Sequence, residues 1–336
     1  MTTLVTGATG FVGSHLVRLL VERGVSVRVL LRPTARQEIL QGLPVEVILG
    51  DLRDADSLRR ACHGVSQVFH VAADYRLWVP DPGEMYASNV EGTRQLLEAA
   101  RQAGVRRFVY TSTVATIAVP RPGPLPDETV EAELDEMIGP YKRSKLLAER
   151  LVRAAAAEGF PAVIVNPTTP VGPGDWKPTP TGRIILDFLR GRMPAYVDTG
   201  LNLVAVEDVA RGHLLAAERG RIGERYLLGC RNMTLKEILD VLSRITGRPA
   251  PRLRLPHIVA LAAGLADEMW ARLIGREPQI PLDGVRMSRH RMFVNTTKAE
   301  RELGFRPGPV EAALERAVRW YLEHGYVETG RAPLAA

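Results

Sequence analysis

Residues 1–14 read MTTLVTGATGFVGS, and this stretch decides the fold that we predict for the chain. Its apolar start predicts a β-strand, the glycines that follow predict a turn, and the leucines spaced along the next residues predict a helix. A strand, a turn with Gly7, Gly10 and Gly13 at three-residue spacing, and a helix form the fingerprint of a dinucleotide site. Such glycines allow a tight turn, a close approach of the backbone to a pyrophosphate, and close packing of helix on strand. The cofactor contacts expected here, beside the free N–H groups of the helix N-terminus, are Gly7, Thr9, Gly10, Phe11 and Val12.

The overall composition is typical of a globular protein of one or two domains, with 336 residues of which 46% are hydrophobic and 24% charged. The net charge of +6 mildly favours acidic partners, such as phosphates or an anionic membrane surface. The basic residues are scattered, so we expect no nucleic-acid partner. Cys62 and Cys230 belong to no metal-ligand pattern, which predicts no disulfide framework, no metal site and a cytoplasmic location.

Signals for targeting and for membrane insertion are weak. The chain enters its first predicted strand at once, so we expect no signal peptide. The most apolar later stretch, Ile258 to Ile274, is interrupted by Asp267, Glu268 and Arg272 and is too short to span a bilayer. We expect a buried or interfacial helix there and no transmembrane segment, and a peripheral contact with an anionic membrane stays open.

The end of the second predicted strand, residues 25–31, indicates which dinucleotide is bound. Arg32 follows Gly13 by nineteen residues, close to the interval at which an acidic residue holds the ribose 2′-hydroxyl of NAD. An arginine at this position suits the 2′-phosphate of NADP instead. We therefore expect NADP(H) rather than NAD(H), with Arg36 close enough in sequence to assist. The alternative is that Arg32 is a surface residue beside a proline turn.

Further strands alternate with helices along the first half of the chain, at residues 45–49, 67–71, 107–110 and 163–165. This alternation predicts an α/β fold, a doubly wound Rossmann sheet whose strands are largely parallel. Ligands bind at the carboxyl ends of such strands. The further cofactor contacts expected at those ends are Asp51, Leu52, Ala72, Ala73, Thr111 and Pro167. Asp51 either accepts a hydrogen bond from the adenine or caps the helix near Asp54, and His70 is expected in the core.

The composition changes at residue 167, where a stretch rich in proline, glycine and threonine begins. We expect residues 1–166 to form the NADP-binding Rossmann domain. Residues 167–336 are expected to form mainly a smaller substrate-binding α/β portion. A part of that portion, about 201–218, is expected to return to the first domain.

Three hydroxyl residues and a Tyr–Lys pair carry the predicted chemistry. Thr111, Ser112 and Thr113 follow a strand, and Tyr141 and Lys145 share one helix face because they are four residues apart. A tyrosine has an ordinary pKa of about 10, and a neighbouring ammonium lowers it. We expect Tyr141 to move a proton while the hydroxyl of Thr113 or Ser112 polarises the substrate oxygen.

Other polar and aromatic residues are candidates for supporting roles. Asn89 lies within a predicted helix, where its side chain can tether a neighbouring strand or a water. The residues that we expect to line the substrate pocket are Ser112, Tyr75, Trp78, Trp176, Lys177 and Arg183. Aromatic rings in this set could stack on a sugar face or pack on a lipid. The alternative is that these residues only pack within the loops that carry them.

These motifs resemble the extended short-chain dehydrogenase/reductase superfamily: the glycine turn, residues 111–113, and Tyr141 with Lys145. Arg32 with the following proline resembles the dihydroflavonol 4-reductase-like branch. Residues 73–78, 180–185 and 191–203 resemble the hopanoid-associated sugar epimerase (HpnA) family over nearly the whole chain. The resemblance implies a Ser/Thr-Tyr-Lys active site, with the hydroxyl on Thr113 where most relatives have serine, a fourth polar residue at Asn89, and a homodimer formed through helices of the first domain.

Three functions follow as hypotheses. The first is an NADP-dependent oxidoreductase that acts on a carbonyl or hydroxyl of a small molecule, sugar-like or isoprenoid-linked. The second is an epimerase or dehydratase that retains its cofactor through each turnover, although Thr113 has no acidic neighbour of the kind that dehydration would use. The third is a non-catalytic dinucleotide-binding protein, since a fold does not determine a function.

Overall fold

The computed structural model describes residues 2–76, 78–79, 81–119 and 123–327. Its strands are β1 Thr2–Thr6, β2 Ser26–Leu31, β3 Val45–Leu49, β4 Val65–His70, β5 Arg107–Thr111, β6 Ala162–Pro167, β7 Thr169–Val171, β8 Ala195–Val197, β9 Gly200–Ala205, β10 Arg225–Leu228, β11 Arg231–Thr234, β12 Leu253–Leu255 and β13 Arg291–Met292. Its α-helices are α1 Phe11–Glu22, α2 Ala55–Cys62, α3 Pro82–Tyr86, α4 Gly92–Gln102, α5 Gly139–Ala157, α6 Pro180–Leu189, α7 Val206–Arg219, α8 Leu235–Thr246, α9 His257–Leu273, α10 Leu282–Met287, α11 Thr297–Leu303 and α12 Val310–Glu323.

The main sheet has seven parallel strands in the order β3-β2-β1-β4-β5-β6-β10. This order reverses next to β1, as in a Rossmann sheet, and the predicted fold class is confirmed. Neighbouring residues of a strand face opposite sides, so Leu4 and Val5 of β1 belong to different apolar clusters. The helices α1, α7 and α11 cover one face of the sheet, and α2, α4 and α5 cover the other.

A smaller α/β portion stands beside the carboxyl ends of β6 and β10. Its sheet has the order β11-β9-β13, with β7 also paired to β9, and β8 pairs with β12. The helices α6, α8 and α12 share its apolar core. Both ends of α8 are capped by residues typical of helix ends. Thr234 and Glu237 form a capping box at its start, and Gly247 ends it in the left-handed conformation.

The chain does not stay in the smaller portion after it first enters it. The helix α7 lies against α1, and β10 adds an edge strand to the main sheet. The strand β9, in contrast, belongs to the small sheet. We therefore propose that the first domain comprises residues 1–166 together with 206–228 and α11, so that the main returning segment begins later and ends later than the predicted 201–218. Among the described residues, no helix has the length and apolar character needed to cross a membrane.

The glycine turn is held in place by close backbone contacts. Gly7 has a φ of 72°, and a Cβ atom there would lie 2.6 Å from the backbone nitrogen of Ala72, beyond the end of β4. A Cβ at Gly13 would lie 2.1 Å from the carbonyl oxygen of Gly7. Side chains do not fit at these distances, so both positions need glycine. The first turn of α1 is thereby pressed onto β1 and β4.

Replacement of Gly7 separates the effect of backbone conformation from that of space. Gly24 has nearly the same φ, 71°, but open space around it. We expect Gly24→Ala to cost about 1 kcal/mol, the penalty of a left-handed alanine. Gly7→Ala should cost about 2 kcal/mol more, because β4 must also shift.

Urea unfolding followed by circular dichroism measures both free energies of unfolding. Equal losses for the two variants would contradict the close contact between the turn and β4.

Candidate active site

The glycine turn presents free backbone donors at the carboxyl edge of the main sheet. Helix α1 begins after Gly10, which provides no side-chain cap, and its first turn has no acidic residue. The first N–H groups of a helix lack partners within the helix, so they and the positive end of the dipole face outward from Gly10. The ring of His15 bonds the carbonyl oxygen of Pro173 at 2.9 Å, which fixes the loop after β7 against the same helix.

Beyond β2 and β3 the edge is basic. Arg32 is exposed directly after β2. At the end of β3, both carboxylate oxygens of Asp51 accept bonds from Arg53, at 2.9 and 3.0 Å, and this partner holds the pKa of Asp51 below its usual range. The cap of α2 is Asp54, not Asp51. The side chain of Arg36 hydrogen-bonds Tyr326, and its expected assistance to Arg32 stays a prediction. The sequence interpretation missed Arg53, although it stands two residues after Asp51.

The remaining predicted cofactor contacts line the same edge. Ala72 and Ala73 follow β4, and the Ala72 nitrogen donates to the Thr6 hydroxyl at 3.3 Å. Leu52 and Pro167 are buried at the ends of β3 and β6. The structure thus collects the predicted residues along one edge.

His70 lies in the core, as predicted. Its ring bonds Thr6 at 2.8 Å and Thr93 at 2.9 Å, and burial lowers its pKa to about 3. A neutral ring with both nitrogens bonded is a structural element of β4.

The predicted proton-transfer group, Tyr141, lies in the first turn of α5 and faces the end of β5. Its ring centroid is 4.6 Å from that of Tyr75, in the loop after β4. The side chain of Thr113 hydrogen-bonds it from the loop after β5. Tyr75 keeps 47% of its surface exposed, so this group of residues opens to solvent, and we refer to the space in front of Tyr75, Thr113 and Tyr141 as the cleft. The structure therefore brings Tyr141, Thr113 and Tyr75 together, from three separate segments.

Lys145 lies one helical turn beyond Tyr141 and is buried. Its Nζ donates to the Tyr110 hydroxyl oxygen at 2.8 Å and to the Thr111 carbonyl oxygen at 2.7 Å. Burial lowers the pKa of Lys145 to about 7, against a smaller opposing effect of Glu149. The ammonium is thus held by the end of β5 and not by Tyr141 itself.

This placement corrects the expected charge effect on Tyr141. Burial raises the pKa of Tyr141 above its ordinary value, and the nearby Tyr75 raises it further. The bond with Thr113 lowers it, but burial is the larger cause. The effect of Lys145 predicted from the sequence does not dominate. Tyr141 is therefore a neutral phenol at neutral pH, which is the form that carries a proton to donate, and burial makes it a weaker acid than a free tyrosine.

Asn89 tethers the cleft loop to the helix that carries Tyr141. It lies in a π-helical turn, Ala87–Glu91, and is buried. Its Oδ1 accepts from the Asp74 nitrogen at 2.7 Å, and its Nδ2 donates to the Asp74 carbonyl at 3.0 Å and to the Ser144 hydroxyl at 3.0 Å. Such π-turns recur at functional sites. The sequence predicted a tether to a strand or a water, and the structure instead joins the Asp74 backbone, next to Tyr75, to Ser144 of α5.

Ser112 is turned away from the cleft, so the expectation that it faces the substrate is wrong. It is buried, and its hydroxyl donates to the Glu149 carboxylate. Glu149 also forms a buried ion pair with Arg225 of β10, at 3.1 Å. The hydroxyl of the neighbouring Thr111 bonds His213 of α7 at 2.8 Å, which leaves only the Thr111 backbone on the cofactor side. The sequence could not show these orientations, because each depends on a partner at least 37 positions away along the chain.

The other predicted substrate residues lie in three different environments: a cavity, an aromatic cluster and the exposed surface. Trp78 lines a cavity of about 280 Å³ beside α10, together with Asp283 and Arg286. Trp176 does not face the cleft: its ring packs edge-on against Trp320 of α12 at 4.9 Å, so the alternative of loop packing holds for it. Lys177 and Arg183 are exposed, and their role stays a prediction.

Comparison with known proteins agrees with this geometry. Residues 3–229 match the NAD dependent epimerase/dehydratase family. A protein of Synechocystis named "Putative dihydroflavonol 4-reductase" is 49% identical, over 97% of this chain and 96% of that protein. Sterol demethylase protein B of Methylococcus capsulatus is 39% identical, over 97% and 100%. The crystal structure of gox2253 superposes with a TM-score of 0.87 at 48% identity, over 97% and 99% of the two chains.

The chain belongs to the NAD dependent epimerase/dehydratase family, within the extended short-chain dehydrogenase/reductase superfamily. It is an enzyme of that superfamily and uses a nicotinamide dinucleotide. The resemblance to the dihydroflavonol 4-reductase-like branch is confirmed. The closer resemblance to hopanoid-associated sugar epimerases stays a prediction.

The buried lysine gives a prediction for titration. The chain has only five lysines, so each can be followed by NMR in protein with labelled lysine side chains. The Lys145 signal should titrate near pH 7 and that of Lys142, which is less perturbed, near pH 8. Lys145→Met and Lys142→Met assign the two signals.

The same shift makes stability depend on pH. An unfolded lysine keeps its proton up to a pH of about 10.4. Between about pH 7 and this value the unfolded chain binds more protons than the folded one, so the contribution of Lys145 to the free energy of unfolding rises with pH. A Lys145 signal that titrates at the value of an exposed lysine would contradict the burial argument.

Proposed function

We propose that the protein is an NADP-dependent oxidoreductase that transfers hydride to or from a carbonyl or hydroxyl of a sugar-like or isoprenoid-linked small molecule, with Tyr141 as the acid/base. The observation that carries this proposal is the convergence of Tyr141, Thr113 and Lys145 beside the glycine turn. Proton donor, hydroxyl and cation stand at one end of the sheet, where a dinucleotide meets its substrate in this fold.

The residues fit a dinucleotide. The packing of Gly7 on Ala72 and of Gly13 on Gly7 brings the start of α1 to the edge of the sheet, where its free N–H groups can meet a pyrophosphate. Arg32 would take the 2′-phosphate, and the nearby Arg53 is already paired with Asp51. When bound, the nicotinamide supplies or accepts the hydride.

The chain's own groups handle the proton. In the direction of reduction, Tyr141 donates its phenolic proton to the substrate oxygen, for which a neutral phenol is the required form. The Thr113 hydroxyl donates a hydrogen bond to the same oxygen and stabilises the charge that develops there. Lys145 places its cationic or neutral amine one turn away, fixed by Tyr110 and Thr111. Asn89 holds the loop of Tyr75, which narrows the cleft around the substrate.

Replacement of the phenol tests the proposed chemistry. Tyr141→Phe should lower kcat for the reduction of an isoprenoid aldehyde such as farnesal by about 10²-fold or more, because proton transfer is lost. NADPH consumption measures the rate. Binding of NADPH, measured by calorimetry, should stay within twofold (about 0.4 kcal/mol) of the parent protein and shows that the variant is folded. Full activity of Tyr141→Phe would contradict the role of Tyr141.

A charge reversal at Arg32 tests the choice of cofactor. Arg32→Glu should raise the Kd for NADPH by about tenfold or more, while the Kd for NADH stays the same or falls. Arg23→Glu is the matched control: Arg23 is exposed at the opposite end of α1, and its replacement should alter neither Kd. Equal weakening of both cofactors by Arg32→Glu would contradict a 2′-phosphate contact.

An epimerase that retains its cofactor is the second candidate, favoured by the family to which residues 3–229 belong. The two reactions differ in the fate of the hydride. A reductase consumes NADPH in proportion to product, and a C4-deuterated NADPH leaves its deuterium in the released product. An epimerase acting on a nucleotide sugar such as UDP-glucose returns the cofactor to its first oxidation state in each turnover. Net turnover of UDP-glucose without NADPH consumption would favour the epimerase.

A further inference from the structure

Helix α9 exposes a continuous apolar face. Ile258, Leu265, Met269 and Leu273 are separated by seven, four and four residues, so they share one side of the helix, and Ile258 and Leu273 are 71% and 78% exposed. Trp270 stands beside them and is also exposed. Single exposed apolar residues are ordinary, whereas a contiguous patch marks an interaction surface. The predicted alternative of a buried core helix does not hold for α9.

The opposite side of α9 is fixed to the protein. Gly264 is buried, and a Cβ atom there would lie 3.2 Å from Val285 of α10. The Asp267 carboxylate accepts from the Ile280 nitrogen at 2.8 Å. At the start of the helix, the ring of His257 bonds the Ser288 carbonyl at 2.8 Å. The start and the middle of α9 are therefore fixed to the protein, and its apolar face is held outward.

This face lies next to the proposed substrate cleft. Asp283 of α10 abuts the first residue of α5, where a Cβ atom on Gly139 would lie 2.6 Å from the Asp283 carboxylate. Tyr141 is two residues further along α5. Glu268 and Arg272 of α9 line the same cavity as Trp78. The helix α9 is thus connected through α10 to the start of α5, the helix that carries Tyr141.

The charge around α9 selects the partner. Residues 248–292 contain eight arginines and four acidic residues, and Asp198 pairs with Arg254 and Arg291, which leaves a net charge of +3 within a chain total of +6. Basic residues that flank an apolar helix attract an anionic lipid surface, at about 1 kcal/mol for each residue near it. A second copy of the chain would bring two such basic regions together, which is unfavourable.

We propose that α9 is an interfacial helix that docks the protein on an anionic membrane surface, so that a lipid-like substrate reaches the cleft from the bilayer. The second clause rests on the proposed oxidoreductase function and selects its isoprenoid-linked class of substrate. The first clause stands on the exposed face and the charge alone. The helix lies in the surface and does not cross it.

Vesicle flotation tests the docking. The full-length protein should bind vesicles of equal parts phosphatidylcholine and phosphatidylglycerol more tightly than vesicles of phosphatidylcholine alone, and salt should weaken the difference. Leu273→Asn should lower the affinity by about tenfold or more, because the side chain no longer enters the lipid. Ile222→Asn is the matched control, an exposed apolar residue outside this helix, and should bind as the parent does.

Brominated lipids locate the contact. They should quench part of the tryptophan fluorescence, and Trp270→Phe should remove the quenched part. Absence of binding to anionic vesicles, or equal binding by Leu273→Asn, would overturn the proposal. A homodimer that Leu273→Asn dissociates, seen by light scattering, would also overturn it in favour of a second copy.

A measurement of reductase activity distinguishes failure of the membrane docking from failure of the proposed oxidoreductase function. Leu273→Asn should reduce a soluble aldehyde with NADPH at the parent rate, since the residue lies outside the cleft. Activity without vesicle binding would overturn the docking alone. Vesicle binding without reductase activity would leave the docking supported and overturn the proposed function.

Discussion

The contact between the glycine turn and β4 is the constraint on which the other features of the site depend. Gly7 packs on Ala72 and Gly13 packs on Gly7 at distances that exclude a side chain. This contact fixes the N-terminus of α1 at the edge where β4 and β5 also end. A dinucleotide has a fixed covalent length. If its pyrophosphate binds at the start of α1, the region that its nicotinamide can reach is therefore limited. The proposed proton donor, Tyr141, must be delivered to that region by an element distant in sequence.

The position of α5, the helix that carries Tyr141, depends on buried polar contacts more than on apolar packing. Lys145 is bonded to β5, Asn89 joins the cleft loop to α5, and Glu149 joins α5 to β10 through Arg225. A buried ion pair is costly to desolvate, and breaking one by removing a partner costs about 3–5 kcal/mol. Such contacts have strict geometry. They hold α5 in one register against the strand ends. Transfer of a hydride and a proton to the same substrate carbonyl would require this fixed position.

The sequence predicted those features that local patterns determine. Periodicity showed the first six strands of the main sheet and the helices between them but did not assign β10 to that sheet, and four-residue spacing placed Tyr141 and Lys145 on one helix face. Orientation and burial were not predictable. Ser112 turns to Glu149, and Trp176 packs on Trp320, because of partners far along the chain. The charge effect of Lys145 on Tyr141 was wrong in size, since burial is known only from the folded structure. Arg53 was missed because no local rule connects it with Asp51.

The most direct test of the central claim, that one edge of the sheet brings a dinucleotide to Tyr141, is a crystal structure of the protein with NADP⁺. We expect the pyrophosphate to contact the backbone of residues 10–12 and the nicotinamide to lie in the cleft, with its ribose or ring within hydrogen-bond or van der Waals reach of Tyr141 and Lys145. A nicotinamide that lies outside the cleft formed by Tyr75, Thr113 and Tyr141, with the rest of the dinucleotide well ordered, would contradict it.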